Sequence, residues 1–338
     1  MRFHRVSYAM AEAFQSFLKA VQAGAGLSWQ GIQSLVERQP RYLSILNGIV
    51  GDTLAKHKSR LAIPMSLRGD IRGDKICVLV HGLCDSETTW SFPEDPARDY
   101  GSLLREHLGY APLYLRYNSG LHISTNGRRL AQLLTEKWAS EGASVRELTF
   151  IGHSMGGLVV RSACHYAKKA RAPWIQRVKK IFLLGVPHLG TDLEKLGNLT
   201  SAILRVIPNP VTMGLAAMGN MRSAGIKDLR FGYLLDEDWK GRHADELWRD
   251  NSHPLPLLEG VSHYQIAARL AKKSDHFLAH YFGDGLVPSR SAAGRSFRKS
   301  KTIPFSPEHF KVLKGLSHSE LAHHDEVYEQ LRAWIQEP

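Results

Sequence analysis

A chain of 338 residues, 43% hydrophobic and 22% charged, has the make-up of a folded globular protein and can hold one large α/β domain or two smaller ones. No apolar stretch reaches the ~20 residues that a membrane-spanning helix needs, which excludes a bilayer-spanning reading. The net charge of +12 is spread along the chain without a recognised reader motif, which argues against a nucleic-acid partner.

The first 65 residues are expected to form an N-terminal helical extension. Val6, Met10, Phe14, Phe17, Leu18 and Val21 recur at three- and four-residue spacing and predict one helix. Trp29, Ile32, Leu35 and Val36 predict a second, stopped before Pro40. Leu43, Leu46, Ile49, Val50 and Leu54 mark a third apolar stripe. Glu12, Gln15 and Lys19 interrupt the apolar residues near the N-terminus, so no secretory signal is expected. The three cysteines, Cys77, Cys84 and Cys164, cannot all pair within one chain, and a reduced, cytoplasmic protein is the simpler reading. Basic residues concentrate at 56–60 and 295–301. They are read as solvated loops, the sharper alternative being peripheral contact with an anionic membrane.

Beyond Pro64 the rhythm changes to alternating strand and helix, expected to run from 66 to 338. Ile76-Cys77-Val78-Leu79-Val80 is a continuous apolar run, as a central parallel strand buried on both faces requires. Strands are predicted at Pro112–Tyr117, Leu148–Ile151, Lys180–Leu184, Val261–Ala267 and Phe310–Leu313. Helices are predicted over Asn126–Trp138, from Leu158 to about Lys169, and over Glu326–Ile335. Repeated strand–helix units predict a mostly parallel central sheet with helices on both faces. Between about 191 and 255 the alternation stops, and Met213, Met218 and Met221 accompany several glycines and short helical patches. An insertion of this length is read as a helical cap.

The strongest local signal is Gly152-His153-Ser154-Met155-Gly156-Gly157, placed between a strand and a helix. That order is the context in which G-x-S-x-G forms a nucleophile elbow. The turn is too tight for side chains two residues either side of the serine, hence Gly152 and Gly156. The following helix aims its free N–H groups at the serine.

A serine hydroxyl needs a base, an orienting acid and an oxyanion site. The turn Val80-His81-Gly82-Leu83 follows a strand and can bring the Leu83 N–H towards that of Met155 as an oxyanion hole. The His81 side chain is read as a brace for that turn. Chain order of nucleophile, acid and histidine selects Asp284 in Gly283-Asp284-Gly285 as the acid, with Asp275 in reserve. It selects His318 as the base, in a turn before the last helix. His323 and His324 are the alternatives and are expected to face solvent, and His309 is poorly placed before the strand. The spacing of His318, His323 and His324 fits no common zinc pattern, so neither metal nor cofactor is expected.

These landmarks together resemble the α/β-hydrolase superfamily, and within it lipase-like and glycosylphosphatidylinositol-inositol-deacylase-like serine hydrolases. The likeness is carried by Val80–Leu83 with Trp90 downstream, Leu115–Gly120, the elbow, Gly185-Val186-Pro187-His188-Leu189-Gly190, Gly283–Pro288, and His318 with Val327-Tyr328. It spans about residues 75–338. The resemblance implies an α/β-hydrolase fold with Ser154 as nucleophile, Asp284 and His318 completing the triad, and Leu83 and Met155 as oxyanion donors. It also implies that His188 lines the site without catalysing.

The expected function is therefore cleavage of carboxylic esters through an acyl-enzyme, with acyl lipids or medium-chain esters as substrates. Acyl transfer, thioester or amide cleavage would use the same triad, and a non-catalytic lipid-binding module is the rival from another class. The rate is expected to fall on the acid side near the ~6.5 of an unperturbed imidazole. The sequence carries no signal of oligomeric state.

Overall fold

The computed structural model describes residues 40–191, 223–241, 250–269, 294 and 302–337. Helix α1 (Pro40–Lys56) precedes the short strand β1 (Ser66–Arg68) and the central strand β2 (Lys75–Val80). A small hairpin, β3 (Ser91–Phe92) and β4 (Asp95–Asp99), leads into helix α2 (Tyr100–Leu108) and strand β5 (Ala111–Arg116). Helix α3 (Ile123–Glu141), strand β6 (Glu147–His153) and helix α4 (Met155–Lys169) follow, then strand β7 (Val178–Leu184). Short helices α5 (Ala224–Phe231) and α6 (Asp236–Trp239) come before strands β8 (Ser262–Arg269) and β9 (Phe310–Lys314), and helix α7 (Asp325–Gln336) ends the chain. The two more N-terminal apolar stripes, the three methionines, Asp275, Asp284 and the 295–301 basic run lie outside the described residues.

Among the described residues, seven of these nine strands form one sheet in the order β1-β5-β2-β6-β7-β8-β9, apart from the β3–β4 hairpin. All neighbours run parallel except β1, which pairs antiparallel with β5. β2 explains why a parallel core strand reads as an unbroken apolar run. Ile76, Val78 and Val80 face one side, against Leu130 and Leu134 of α3 and Leu158 and Ala163 of α4. Cys77 and Leu79 face the other, against Leu103 and Leu104 of α2 and Leu331 and Trp334 of α7. Both faces are dry because both carry helices, and the alternating residues must all be apolar. This is the α/β-hydrolase arrangement.

α1 is bound tightly to this body. Ser223 Oγ donates to the Gly48 carbonyl at 2.6 Å, and Asn118 Nδ2 donates to the Gly51 carbonyl at 2.8 Å. A side chain at Gly48 would strike Cys84, one residue beyond the Leu83 turn, with a Cβ 2.2 Å from its Sγ. The described part of the 191–255 insertion is anchored as well. The buried Asp228 of α5 accepts from the Ile123 N–H at 2.8 Å, supplying the first turn of α3 with the anion that its free donors favour. It also meets His122, whose ring stacks on Trp239 of α6 at 3.6 Å. Among the described residues no helix is long and apolar enough to cross a membrane.

Candidate active site

The elbow is built where β6 ends and α4 begins. Ser154 holds φ +52°, ψ −126°, a backbone conformation that residues with a side chain rarely adopt. Strain of this kind persists only where the surroundings enforce it. Here the Ser154 N–H donates to the Leu184 carbonyl at the end of β7, at 2.8 Å. Gly152 is required as expected, since a Cβ there would lie 2.6 Å from Gly157 Cα. Gly156 has a different reason from the one read in the sequence. Its Cβ would collide with the Val80 carbonyl oxygen at 2.1 Å, so it is the neighbouring strand, β2, that crowds it.

Ser154 is half-buried while His153, Met155 and Gly156 around it are buried. The turn after β2 sits against it: a Cβ on Gly82 would lie 3.1 Å from Ser154 Cβ. Leu83 follows in that turn. Met155 opens α4, so its N–H has no acceptor within the helix. His81 is fully buried, stacks on Tyr117 at 4.3 Å, and its Nδ1 donates to the Gly82 carbonyl at 2.9 Å. Tyr117 returns a bond from its hydroxyl to the His81 carbonyl at 2.8 Å, so the turn is held from both sides. Burial lowers the His81 pKa to about 4, which keeps the ring neutral.

His318 reaches the same place from the other end of the chain. Its ring lies over Gly185, the residue after β7, where a Cβ would come within 2.8 Å of the imidazole Cε1. Gly185 also holds φ +61°, and its N–H is tied to the Ile266 carbonyl at 2.8 Å. The His318 ring stands 4.8 Å from that of His153. His153 Nε2 donates to the His318 carbonyl at 2.9 Å; a carbonyl can only accept, so His153 carries its proton on Nε2. The His318 Nε2 is enclosed and without a hydrogen-bond partner. Burial, and then the neighbouring His153, push the His318 pKa well below its ordinary value. Burial likewise takes His153 down to about 4.

The turn that carries His318 is fixed by Glu320, whose carboxylate accepts from the Ser317 N–H at 2.6 Å. The other histidines of this segment are engaged elsewhere and only half-exposed, in contrast to the expectation that they face solvent. His323 Nδ1 bonds the Thr89 carbonyl at 3.0 Å, and His324 caps α7 through the Glu326 N–H. His309 stacks beside Tyr264 at 4.1 Å. His188 is buried with Arg161, at 3.3 Å, and Phe305, at 5.0 Å. The structure thus gathers Ser154, Gly82, His153 and His318 at the carboxyl ends of β2, β6 and β7. No group of three or more metal-binding side chains occurs among the described residues.

Residues 70–229, a little under half of the chain, match the family described as "Putative serine esterase (DUF676)". The elbow, Gly152–Gly156, lies within the matched residues. Among solved structures, this chain aligns with the mature lipase BlEst2 of Bacillus licheniformis at 17% identity, covering 80% of this chain and 98% of that one, with a TM-score of 0.44. A thermophilic esterase from Thermogutta terrifontis aligns at 16% identity over 80% of this chain and 93% of that one, with a TM-score of 0.41. The NocB thioesterase domain aligns at 13% identity over 80% of this chain and 100% of that one, with a TM-score of 0.40. No curated protein matches the sequence.

Two features of the site carry no local sequence signal. The bond from His153 to the His318 carbonyl joins residues 165 positions apart. The seat of the His318 ring on Gly185 is equally long-range, although Gly185 opens the Gly-Val-Pro-His stretch already singled out.

Proposed function

We propose that this protein is a serine hydrolase that cleaves carboxylic esters, with acyl lipids or medium-chain esters as substrates, and that Ser154 is its nucleophile. The observation that carries the reading is the strained Ser154 backbone, held between the Gly82 turn and the Gly185 seat of the His318 ring. Strain at one non-glycine residue, set beside a neutral imidazole and free helix N–H groups, matches what acyl transfer to a serine requires.

In this mechanism neutral His318 takes the proton from Ser154 Oγ as the oxygen attacks the acyl carbon. The negative charge that develops on the carbonyl oxygen is received by the N–H groups of Leu83 and Met155, each such donor being worth ~2.7–4 kcal/mol. His318 then gives the proton to the departing alcohol, which leaves Ser154 acylated. Water attacks this acyl-enzyme by the same route, releasing the carboxylic acid and restoring the serine. Asp284 orients His318 and stabilises its protonated form.

The test is hydrolysis of p-nitrophenyl esters from acetate to palmitate by the wild type and Ser154→Ala. Turnover that falls by on the order of 10³-fold or more in the variant supports the reading, and the preferred chain length sizes the acyl pocket. Labelling of Ser154 by a fluorophosphonate without ester turnover would retain the serine chemistry and reject the ester class. Absence of both would reject the catalytic reading. Asp284→Asn should cost on the order of 10³–10⁴-fold in kcat, while Asp275→Asn should not.

A further inference from the structure

On the α4 side of the sheet, away from the elbow, a cavity of about 160 Å³ opens between α4, β7, β8 and the segment 255–258. Its walls are largely apolar and include Ile181, Leu255, Leu257 and Cys164. Into this wall α4 brings Arg161, which is only 5% exposed. One guanidinium nitrogen donates to the Leu255 carbonyl at 2.6 Å, and another to His188 Nδ1 at 3.3 Å. Its Nε–H is buried without a partner. No carboxylate among the described residues pairs with it.

A guanidinium with no carboxylate beside it among the described residues is unusual in such a place, because burying a lone charge is costly unless something compensates it. Burial lowers the Arg161 pKa only to about 10, so the group stays charged at neutral pH. The polar groups around it are mostly donors. His188 accepts from Arg161 on Nδ1, so its proton sits on Nε2, and that N–H is also buried and unpartnered. Gln265 lies on the same face of β8 as the cavity-lining His263, is 2% exposed, and leaves both side-chain atoms unpaired. Lys168, at the rim, is paired with Glu259 at 2.9 Å, and both are well exposed.

We propose that this cavity binds a small organic monocarboxylate, its carboxylate paired with Arg161 and its hydrocarbon part against Ile181, Leu255 and Leu257. The cation requires an anion, the space accepts only a few heavy atoms beyond it, and the apolar walls select hydrocarbon over a fully hydrated ion. The site is separate from Ser154 and does not depend on the ester reading.

The test is calorimetric titration of the full chain with sodium benzoate and sodium butyrate, against benzyl alcohol and sodium phosphate. The expected result is saturable carboxylate binding with a Kd on the order of 1 mM or tighter. Benzyl alcohol and phosphate should each bind at least about tenfold more weakly, a difference of ~1.4 kcal/mol. Arg161→Met should lose the carboxylate preference, and Leu257→Trp should block the cavity with Arg161 intact. If Arg161→Met does not fold, Leu257→Trp and the alcohol comparison decide. Equal binding of benzyl alcohol, tighter binding of phosphate, binding that survives both variants, or no saturable binding at all would overturn the proposal. The last outcome would leave Arg161 satisfied by buried water alone.

Discussion

His153, the residue before the elbow serine, donates its Nε2 hydrogen to the main-chain carbonyl of His318, 2.9 Å away. A side chain beside the nucleophile thus holds the backbone that presents the proposed base. His153→Phe keeps a ring of similar size and removes the donor. The bond is worth ~1 kcal/mol to the fold, whereas a small displacement of a reacting group costs much more in rate. We expect kcat/KM for an ester to fall by ~10–100-fold with the melting temperature little changed. An unaltered kcat/KM in a folded variant would remove the positioning role.

His318 must be neutral to accept a proton, and burial lowers its pKa. A lowered pKa keeps it neutral to more acid pH, so the acid limb of kcat/KM should lie below the ~6.5 of a free imidazole. The reading from sequence alone places that limb near the unperturbed value. A pH–rate profile with its midpoint at or above that value would show that an anionic partner, as proposed for Asp284, outweighs burial at His318.

Gly185→Ala should harm activity more than stability. Its positive φ disfavours any side chain by ~1–2 kcal/mol, and the new methyl would press on the His318 ring at 2.8 Å. The melting temperature should drop modestly, and ester turnover should fall by at least ~10-fold. Wild-type turnover would show that the ring does not work from this seat.

Lys180 on β7 sends its ammonium to three carbonyls at the end of α7, those of Trp334 at 2.8 Å, Ile335 at 2.9 Å and Glu337 at 2.6 Å. A cation there also suits the negative end of the helix. Lys180→Met should destabilise the protein by ~1–3 kcal/mol and speed hydrogen exchange in the last turn of α7. Unchanged exchange there would mean that the helix end is held by packing alone.

Three buried histidines, His81, His153 and His263, have pKa values lowered to about 4, in each case chiefly by burial. In the unfolded chain they titrate near ~6.5. Between those values the unfolded state binds more protons than the folded one, so stability rises with pH across that window. It is complete above about 6.5 and falls as the pH drops towards 4, by up to about 3 kcal/mol per histidine. Denaturation midpoints measured from pH 4 to 7 should show that slope, and His81→Asn should flatten it. A flat profile would place these rings in contact with water.

The sheet was legible because strands buried on both faces leave continuous apolar runs, and every predicted strand is present within one or two residues at each end. α3 begins at Ile123, three residues ahead of the predicted start at Asn126, because its first turn is capped by Asp228 from 105 residues away. β1 pairs through only three residues and gives no periodicity to read. α2 went unread although Asp99 and Ser102 form a reciprocal cap at its start. At the site, the elbow was legible because its chemistry is local. The link from His153 to His318 was not, since it depends on how two distant turns meet.

α1 is made early, yet one of its buried partners is made late. Ser223, which bonds Gly48, lies 175 residues further along the chain. At a synthesis rate of ~5–20 residues per second, the helix waits roughly 10–35 s on the ribosome before that partner exists. Through that interval the part of α1 that meets Ser223 and Ala224 stays uncovered, while Cys84 and Asn118, which meet Gly48 and Gly51, are already made. The newborn chain therefore offers a sticky helix to chaperones before it can fold. Slowing translation between 60 and 223 should raise chaperone capture of the nascent chain.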